Sequence, residues 1–535
     1  MLLGGLFLLN ALLLAPRWFT AGGAGPPWVA LEVLLVAGVL ALLPRRHWSM
    51  TGAVILAPLI VLVVVVAFGD AAARMSLARP LNLYLDLRLA SSVGHLLSGT
   101  LGPTRAVLSG LIGAVTLLGV TLGLALLLSR LPERTPAWTR RIPAIALIAL
   151  FAAGMAGDRI PALGSRVATP VIDLGREQAA ILALMLGERE RFAGEMATAP
   201  ANYRDLPGLL TGLGGRDVIL AFVESYGMTA LDDPRYAPLI QPRLDELEKR
   251  VSASGLHMAT ASMEAPSQGG QSWLGHGALL SGLWLDNQLR YDLLLASDRE
   301  TLVDDFRLAG YRTVALMPAI TMAWPEGERF GYDRIYAHRD IDYRGPALNW
   351  VTMPDQFTWH FLETTIRADA DPRPLFAELA LISSHAPWTP ILPVLEDWDG
   401  IGDGTVFVPW ENAGERPEEL WLDHDRVREH FALSVDYALA TLTSYVERFM
   451  DPGTLLIVLG DHQPAPLITG DEVNRDVPVH VIAGDADLLH PFLEWGFSAG
   501  ARPDPYQSAY RMDQFRDWFI RAFSPADPGH SLVHP

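Results

Sequence analysis

The sequence predicts a two-part fold: an N-terminal α-helical membrane domain of about five spans, then an extracytoplasmic α/β domain whose mostly parallel sheet is covered by helices. Three observations predict it. Residues 1–157 are apolar with few charges, whereas the rest is rich in Asp, Glu, Trp and Pro. Arginines gather in two loops of the apolar part. Beyond residue 216, short apolar runs alternate with amphipathic helical patterns, the signature of a sheet covered on both faces. The expected organisation is therefore a membrane domain over 1–157, a connector over 158–215 and a globular domain over 216–535.

The apolar part comes first. Apolar runs occupy about 1–15, 27–43, 51–69, 106–128 and 142–157. The third (TGAVILAPLIVLVVVVAFG) and fourth (AVLSGLIGAVTLLGVTLGLALLL) meet the length of about 20 residues that a spanning helix needs. No basic region precedes the first run, so it does not read as a secretory signal peptide. Arg45 and Arg46 fall in one loop, and Arg130, Arg134, Arg140 and Arg141 in another. Alternation puts both loops on one side, which their arginines make cytoplasmic. The chain after about residue 158 is then outside. The 79–90 stretch RPLNLYLDLRLA, in the outer connection, alternates leucines as a strand does. With no partner strand in view, it is read as an interfacial element.

Composition narrows the chemistry. A net charge of −19, concentrated in the second part, argues against a nucleic-acid partner. Cysteine is absent, which excludes disulfides, thiolate catalysis and Cys-ligated zinc. The connector carries a helical pattern, REQAAILALMLGERERFAGEM. In the globular part DVILAFV, RTVALM, LFAELALI, TLLIVLG and PVHVIAG read as strands, while QPRLDELEKRVSASG and RETLVDDFRLAGY read as helices. In such sheets ligands sit at the carboxyl ends of the strands.

Three of those ends carry chemistry. DVILAFVESYG ends its apolar run at Glu224, TLLIVLGDHQP at Asp461 and His462, and LFAELALISSHAPW near His385. Each has a bland alternative as a capping, turn or surface residue, but all fall on one edge of one sheet. Two carboxylates and an imidazole suit one divalent ion, zinc or manganese, with a fourth position left for an oxygen. SQGGQSWLGHGALLSG, residues 267–282, offers that oxygen in Ser272. Its hydroxyl is either a helix cap or a nucleophile over a helix N-terminus, which favours anionic groups. Coordination to a metal favours the reactive alkoxide of such a serine. His276, in the same helix, is either a phosphate contact or a structural polar residue.

The ordered set of Glu224, Ser272, Asp461 and His462, with the GDHQP string and the apolar strand before it, resembles the alkaline phosphatase/sulfatase superfamily. Within that superfamily the chain is most similar to the lipoteichoic-acid-synthase-like branch of membrane-anchored phosphoglycerol transferases. GYRTVALMPA and RFGYDRIY look like landmarks of the same branch. The resemblance implies five membrane helices, a connector and an extracytoplasmic catalytic domain. It implies that Glu224, Ser272, Asp461 and His462 hold the metal, that Ser272 is the nucleophile, and that His385 contacts substrate, as SSHAPW suggests. Trp324 is then the candidate for the tryptophan that contacts the headgroup.

The resemblance also implies a reaction. A phosphoglycerol group passes from a membrane phospholipid, expected to be phosphatidylglycerol, to a hydroxyl of a glycan or polymer through a covalent Ser272 intermediate. The enzyme is then a multi-pass protein of the cell (inner) membrane, acting on its periplasmic or extracellular side. Three departures weigh on the alternatives. The Pro and Arg that sulfatases need after the nucleophile are missing from Ser272-Trp273-Leu274-Gly275-His276, which disfavours a sulfatase. Phosphoethanolamine transferases of the superfamily favour disulfides and an Asp-His-Gly-Glu string, both absent. Met317-Pro318 stands where the branch often has a histidine. A phosphoethanolamine transferase, a phosphodiester or sulfate ester hydrolase, and an inactive membrane-anchored binding or regulatory protein are the competing readings.

Overall fold

The structure, a computed structural model, describes residues 2–20, 27–42, 48–87, 94, 102–130, 137–156, 166–198, 202–470 and 473–525. The chain forms two compact units, Met1–Gly187 and Glu188–Pro535.

The first unit is helical. Helices Leu2–Thr20, Leu31–Leu42, Trp48–Leu77, Pro103–Arg130 and Ala137–Ala156 overlie the apolar runs of the sequence. Glycines let two of them approach closely: a Cβ on Gly38 would lie 2.7 Å from Ile148, and one on Gly154 would lie 2.7 Å from Leu31. Helix Trp48–Leu77 packs on Pro103–Arg130 through Ala53, Ala57, Leu124 and Leu128. The long helix that begins at Pro170 is fixed to this unit by polar contacts. Oε1 of Glu32 accepts from the backbone N–H groups of Val171 and Ile172 at 2.9 and 3.2 Å, satisfying free donors at the helix start. Arg17 pairs with Asp173 at 2.7 Å and Arg74 with Glu177 at 2.6 Å.

The span count is corrected. Among the described residues, two helices, Thr51–Leu77 and Thr104–Ser129, are long and apolar enough to cross a membrane, rather than five. Helix Leu31–Leu42 has 12 residues, a rise of about 18 Å against a hydrocarbon core of about 30 Å. The apolar part of the last helix, Arg141–Met155, is also short. Helix Leu2–Thr20 carries Pro16 and Arg17 near its end. Arg45, Arg46 and Arg134, on which the orientation argument leans, lie outside the described residues. Part of the 79–90 segment is a single helical turn, Leu83–Asp86, capped by the Asn82 side chain. Among the described residues of the segment, the leucine alternation does not mark a strand.

The second unit is built on one sheet. In chain order the strands are β1 (Val29–Ala30) and β2 (Val167–Ala168), a parallel pair in the first unit, then β3 (Asp217–Val223), β4 (His257–Glu264), β5 (Arg312–Met317), β6 (Arg334–Ala337), β7 (Leu375–Leu381), β8 (Thr454–Gly460), β9 (Asp476–Ala483), β10 (Ser498–Ala499) and β11 (Tyr510–Arg511). The main sheet runs β10-β4-β9-β8-β3-β7-β5-β6, with β11 beside β4. Strands β8, β3, β7, β5 and β6 are mutually parallel. Strand β9 runs antiparallel to both β8 and β4, and β10 antiparallel to β4, so the sheet is mixed. The short link between β8 and β9, with one helical turn at Pro466–Thr469, returns the chain without a covering helix.

Alternate residues of the central strands enter two cores. Ile219, Ala221, Val223, Leu379, Leu381 and Val458 face helices Ala237–Ala253 and His424–Phe449. Leu220, Phe222, Phe376, Ile457 and Leu459 face helices Ser272–Ser281 and Phe515–Ala522. Burial on both faces explains why these strands read as continuous apolar runs.

Close backbone approach brings the strand ends together. Gly460 closes β8, and a Cβ there would lie 1.8 Å from the carbonyl oxygen of Tyr226, in the turn after β3. A Cβ on Gly275 would lie 2.6 Å from the carbonyl oxygen of Asp461. Gly460→Ala should therefore destabilise the chain by at least about 2 kcal/mol, read as a lowered midpoint in thermal unfolding of the full chain in detergent. An unchanged midpoint would contradict the packing of these two turns.

Candidate active site

The parallel strands β3, β7 and β8 present their carboxyl ends at one edge, and each delivers a polar residue there. Glu224 follows β3, and its N–H donates to Leu381 O at the end of β7 at 2.9 Å. Ser384, just past β7, donates its hydroxyl to the Glu224 carbonyl at 2.5 Å. Asp461 and His462 follow β8 and are both buried. One ligand atom from each of Glu224, Asp461 and His462 lies within 4.8 Å of the others.

Each of these side chains has one atom anchored and one left over. Oδ1 of Asp461 accepts from the backbone N–H groups of Ser225 at 2.8 Å and His462 at 2.7 Å. Its Oδ2 faces Nε2 of His462 at 3.6 Å. Nδ1–H of His462 donates to the Gln463 carbonyl at 2.9 Å, which fixes the tautomer and leaves Nε2 with a lone pair. That Nε2 is buried without a hydrogen-bond partner and stands 3.4 Å from Oε1 of Glu224. Ser225, in the left-handed region at φ 55°, donates its hydroxyl to the same Oε1 at 2.8 Å.

An orphaned imidazole nitrogen between two carboxylates fits a divalent cation. The protonation chemistry points the same way. Burial, reinforced by the charge of Glu224, pushes the Asp461 carboxyl up to about 6. Burial would also raise Glu224, but the imidazoles of His385 and His462 hold it below its ordinary value. Burial would lower His462, and the carboxylates of Asp461 and Glu224 outweigh it and hold the imidazole above its ordinary value.

Ser272 joins this group. The Gly-Gly-Gln loop ahead of it takes positive φ at all three residues, 71°, 143° and 65° for Gly269, Gly270 and Gln271. Gln271 accepts a left-handed backbone that costs a non-glycine residue on the order of 1 kcal/mol. The result is that Ser272 is the first residue of helix Ser272–Ser281 and not its cap. Its hydroxyl caps nothing and donates instead to Oε2 of Glu224 at 3.3 Å.

The other candidates occupy distinct places. His385 stacks on Trp350, with ring centres 3.6 Å apart and planes 11° apart. Its Nδ1–H donates to Ala386 O at 2.6 Å, which leaves the lone pair on Nε2. His276 donates from Nδ1 to Oε1 of Glu378 at 2.6 Å and stacks on Phe222. Trp324 starts the short helix Pro325–Phe330, and its ring covers Gly327 of that helix, where a Cβ would lie 2.2 Å from the ring.

The sequence reading missed Trp350, Ser384, Asp355 and Glu378. Asp355 is fully buried, and its Oδ1 accepts from the N–H groups of Ile382 and Ser383 at 2.7 and 2.9 Å, holding the turn that carries His385. Nothing local marks Asp355 or Trp350, because both act across long sequence separations. Glu378 was legible as an acid inside the apolar run LFAELALI.

Residues 240–495 match the family described as Sulfatase, a stretch that begins after Glu224 and includes Ser272, His385, Asp461 and His462. The match bears out the resemblance to the alkaline phosphatase/sulfatase superfamily. No curated protein matches the sequence. Among solved structures, the chain is similar to the lipoteichoic acid synthase LtaP from Listeria monocytogenes, at 12% identity over 60% of this chain and 74% of that one, TM-score 0.37. It is similar to the phosphoglycerol transferase GacH from Streptococcus pyogenes, in complex with sn-glycerol-1-phosphate, at 12% identity over 65% and 82%, TM-score 0.40. A phosphonate monoester hydrolase of Agrobacterium radiobacter shares 13% identity over 56% and 72%, TM-score 0.34. Likeness at this level bears on neither substrate nor reaction.

Protons and a cation compete for the same three side chains, which gives the cluster a pH signature. Asp461 titrates near 6 and His462 above its ordinary value, so both hold protons in acid. Affinity for a divalent cation, measured by calorimetry on the full chain, should fall steadily from about pH 8 to about pH 5. Affinity that does not change with pH would exclude these residues as its ligands.

Proposed function

We propose that this chain, with its sulfatase-family domain over residues 240–495, is a membrane-anchored phosphotransferase. It moves a phosphoglycerol group from a phospholipid, phosphatidylglycerol by preference, to a hydroxyl of a glycan or polymer. The observation that carries the reading is Ser272, placed at the head of a helix with its hydroxyl turned to Glu224 beside Asp461 and His462. Two apolar helices of spanning length keep such a domain beside its lipid donor, and tethering of this kind raises encounter without adding contacts. The missing Pro and Arg after Ser272 count against sulfate ester hydrolysis. The working location is the outer face of the cell membrane.

Glu224, Asp461 and His462, with Ser272, would hold one divalent ion, manganese or zinc, which supplies positive charge to favour the serine alkoxide and offset phosphoryl charge. The residues do the remaining work. Oγ of Ser272 gives its proton to a neighbouring base as it attacks phosphorus, the bond to the diacylglycerol oxygen breaks, and a glycerophosphoryl group is left on the serine. Backbone N–H groups at the head of helix Ser272–Ser281 face the phosphoryl oxygens. In the second half, the acceptor hydroxyl attacks phosphorus and the bond to Ser272 breaks. Nε2 of His385 takes the acceptor's proton, then gives it to the diacylglycerol oxygen of the next donor, so the cycle closes. Trp324 and His276 are further substrate contacts in this reading.

The test is the intact mass of the full chain after incubation with mixed membrane phospholipids. The wild-type chain should gain a glycerophosphoryl group on Ser272, and Ser272→Ala should gain nothing while unfolding at the same temperature. Labelling that survives in Ser272→Ala removes the nucleophile. An ethanolamine-bearing increment transfers the reading to the phosphoethanolamine branch, and turnover with water as sole acceptor makes the protein a hydrolase.

A further inference from the structure

We propose that His276 is the base that takes the proton of Ser272, and that Glu378 and Tyr332 are positioning residues that hold it for that task. The proposal rests on Ser272 being the nucleophile, and replaces the looser role of His276 as a phosphate contact.

Glu378 is a carboxylate inside the sheet. It lies in the middle of β7, is 1% exposed, and is flanked by buried Ala377 and Leu379. A carboxylate in such surroundings costs folding free energy, so it persists only where it is fully paired. Both of its oxygens are engaged: Oε1 accepts from Nδ1–H of His276 at 2.6 Å, and Oε2 accepts from the hydroxyl of Tyr332. Helix Ser272–Ser281 is not seated by these bonds alone. That helix already packs on the sheet through Leu274, Ala278 and Leu279.

The consequence falls on His276. With Nδ1–H committed to Glu378, the neutral ring carries its lone pair on Nε2, which has no hydrogen-bond partner among the described residues. The ring lies flat on Phe222, with centres 3.7 Å apart and planes 21° apart, so it cannot turn freely. Its side chain is 15% exposed. Ser272 and His276 are four apart in one helix and therefore neighbours on one face. Helical side chains lean toward the N-terminus, the direction in which Ser272 lies from His276. A serine, an imidazole and a buried carboxylate in this order are the parts of an activated nucleophile.

The step balances. As Oγ of Ser272 bonds to phosphorus, its O–H bond breaks and the proton moves to Nε2 of His276. The imidazolium charge is met by Glu378, and the leaving oxygen departs with the electrons of its bond to phosphorus. When the bond between Ser272 and phosphorus later breaks, Nε2 returns the proton to Oγ.

The probe is bis(4-nitrophenyl) phosphate, whose nitrophenolate leaves without needing a proton, so that its release reports activation of Ser272 alone. It is followed on the full chain with a divalent cation, alongside cation content and thermal unfolding. In His276→Asn the amide can still donate to Glu378 but nothing replaces Nε2. That variant should keep its cation and its unfolding temperature, and release nitrophenolate at least about 100-fold more slowly. Glu378→Gln should slow release about 10-fold or more, and added imidazole should restore part of the rate to His276→Ala. An unchanged rate in His276→Asn overturns the proposal. So does a loss that tracks loss of the cation, with no rescue of His276→Ala by imidazole. Release of nitrophenolate without any transfer from phospholipids would sink the donor reading and leave this one standing.

Discussion

Everything at the catalytic edge follows from the burial of two carboxylates and one imidazole within a few ångströms of each other. Glu224 and Asp461 cannot both be ionised there without a compensating positive charge, because desolvation and the repulsion between the two carboxylates oppose it. The protein answers with backbone N–H groups on one oxygen of Asp461 and a carbonyl on Nδ1 of His462. Those contacts satisfy the anchored atoms and leave Oδ2 and Nε2 turned to each other. The arrangement makes physical sense as a cage for a cation and poor sense as a device for stability, since apolar residues would fill the same volume at less cost.

The sheet exists, in functional terms, to hold that cage to tolerance. Parallel pairing of β3 with β7 and β8 puts three chain reversals side by side. Glycines at 275 and 460 remove the side chains that would otherwise push the reversals apart. The left-handed backbone at Ser225 and Gln271 turns one carboxylate and one hydroxyl toward each other. Strain of this sort is tolerated where neighbouring structure over-determines it, and here strands buried on both faces supply that constraint.

Much of this was legible in the residues. The runs DVILAFV, LFAELALI and TLLIVLG are continuous and apolar because both faces of their strands are buried, and the polar residue that ends each run marks the sheet edge. Strand β4 was not legible, since Thr260 and Ser262 interrupt its pattern. In the fold Thr260 is buried, its hydroxyl donating to Gly500 O and accepting from Nδ1–H of His480. The antiparallel course of β9 was also hidden, because a strand's direction is set by the link before it and not by its own composition. The apolar N-terminal runs do form helices, but composition alone overstated how many are long enough to span. Trp350 and Asp355 could not have been found locally, because their partners His385 and Ser383 are near them only once the chain has folded.

The central claim is that one cation is shared by Glu224, Asp461, His462 and the hydroxyl oxygen of Ser272. Anomalous diffraction from crystals of the full chain grown with manganese tests it most directly. The account predicts one strong peak bonded to Oγ of Ser272, to Nε2 of His462 and to an oxygen of each carboxylate. A site at that edge without density, or a cation bound elsewhere with Ser272 turned away, would contradict it.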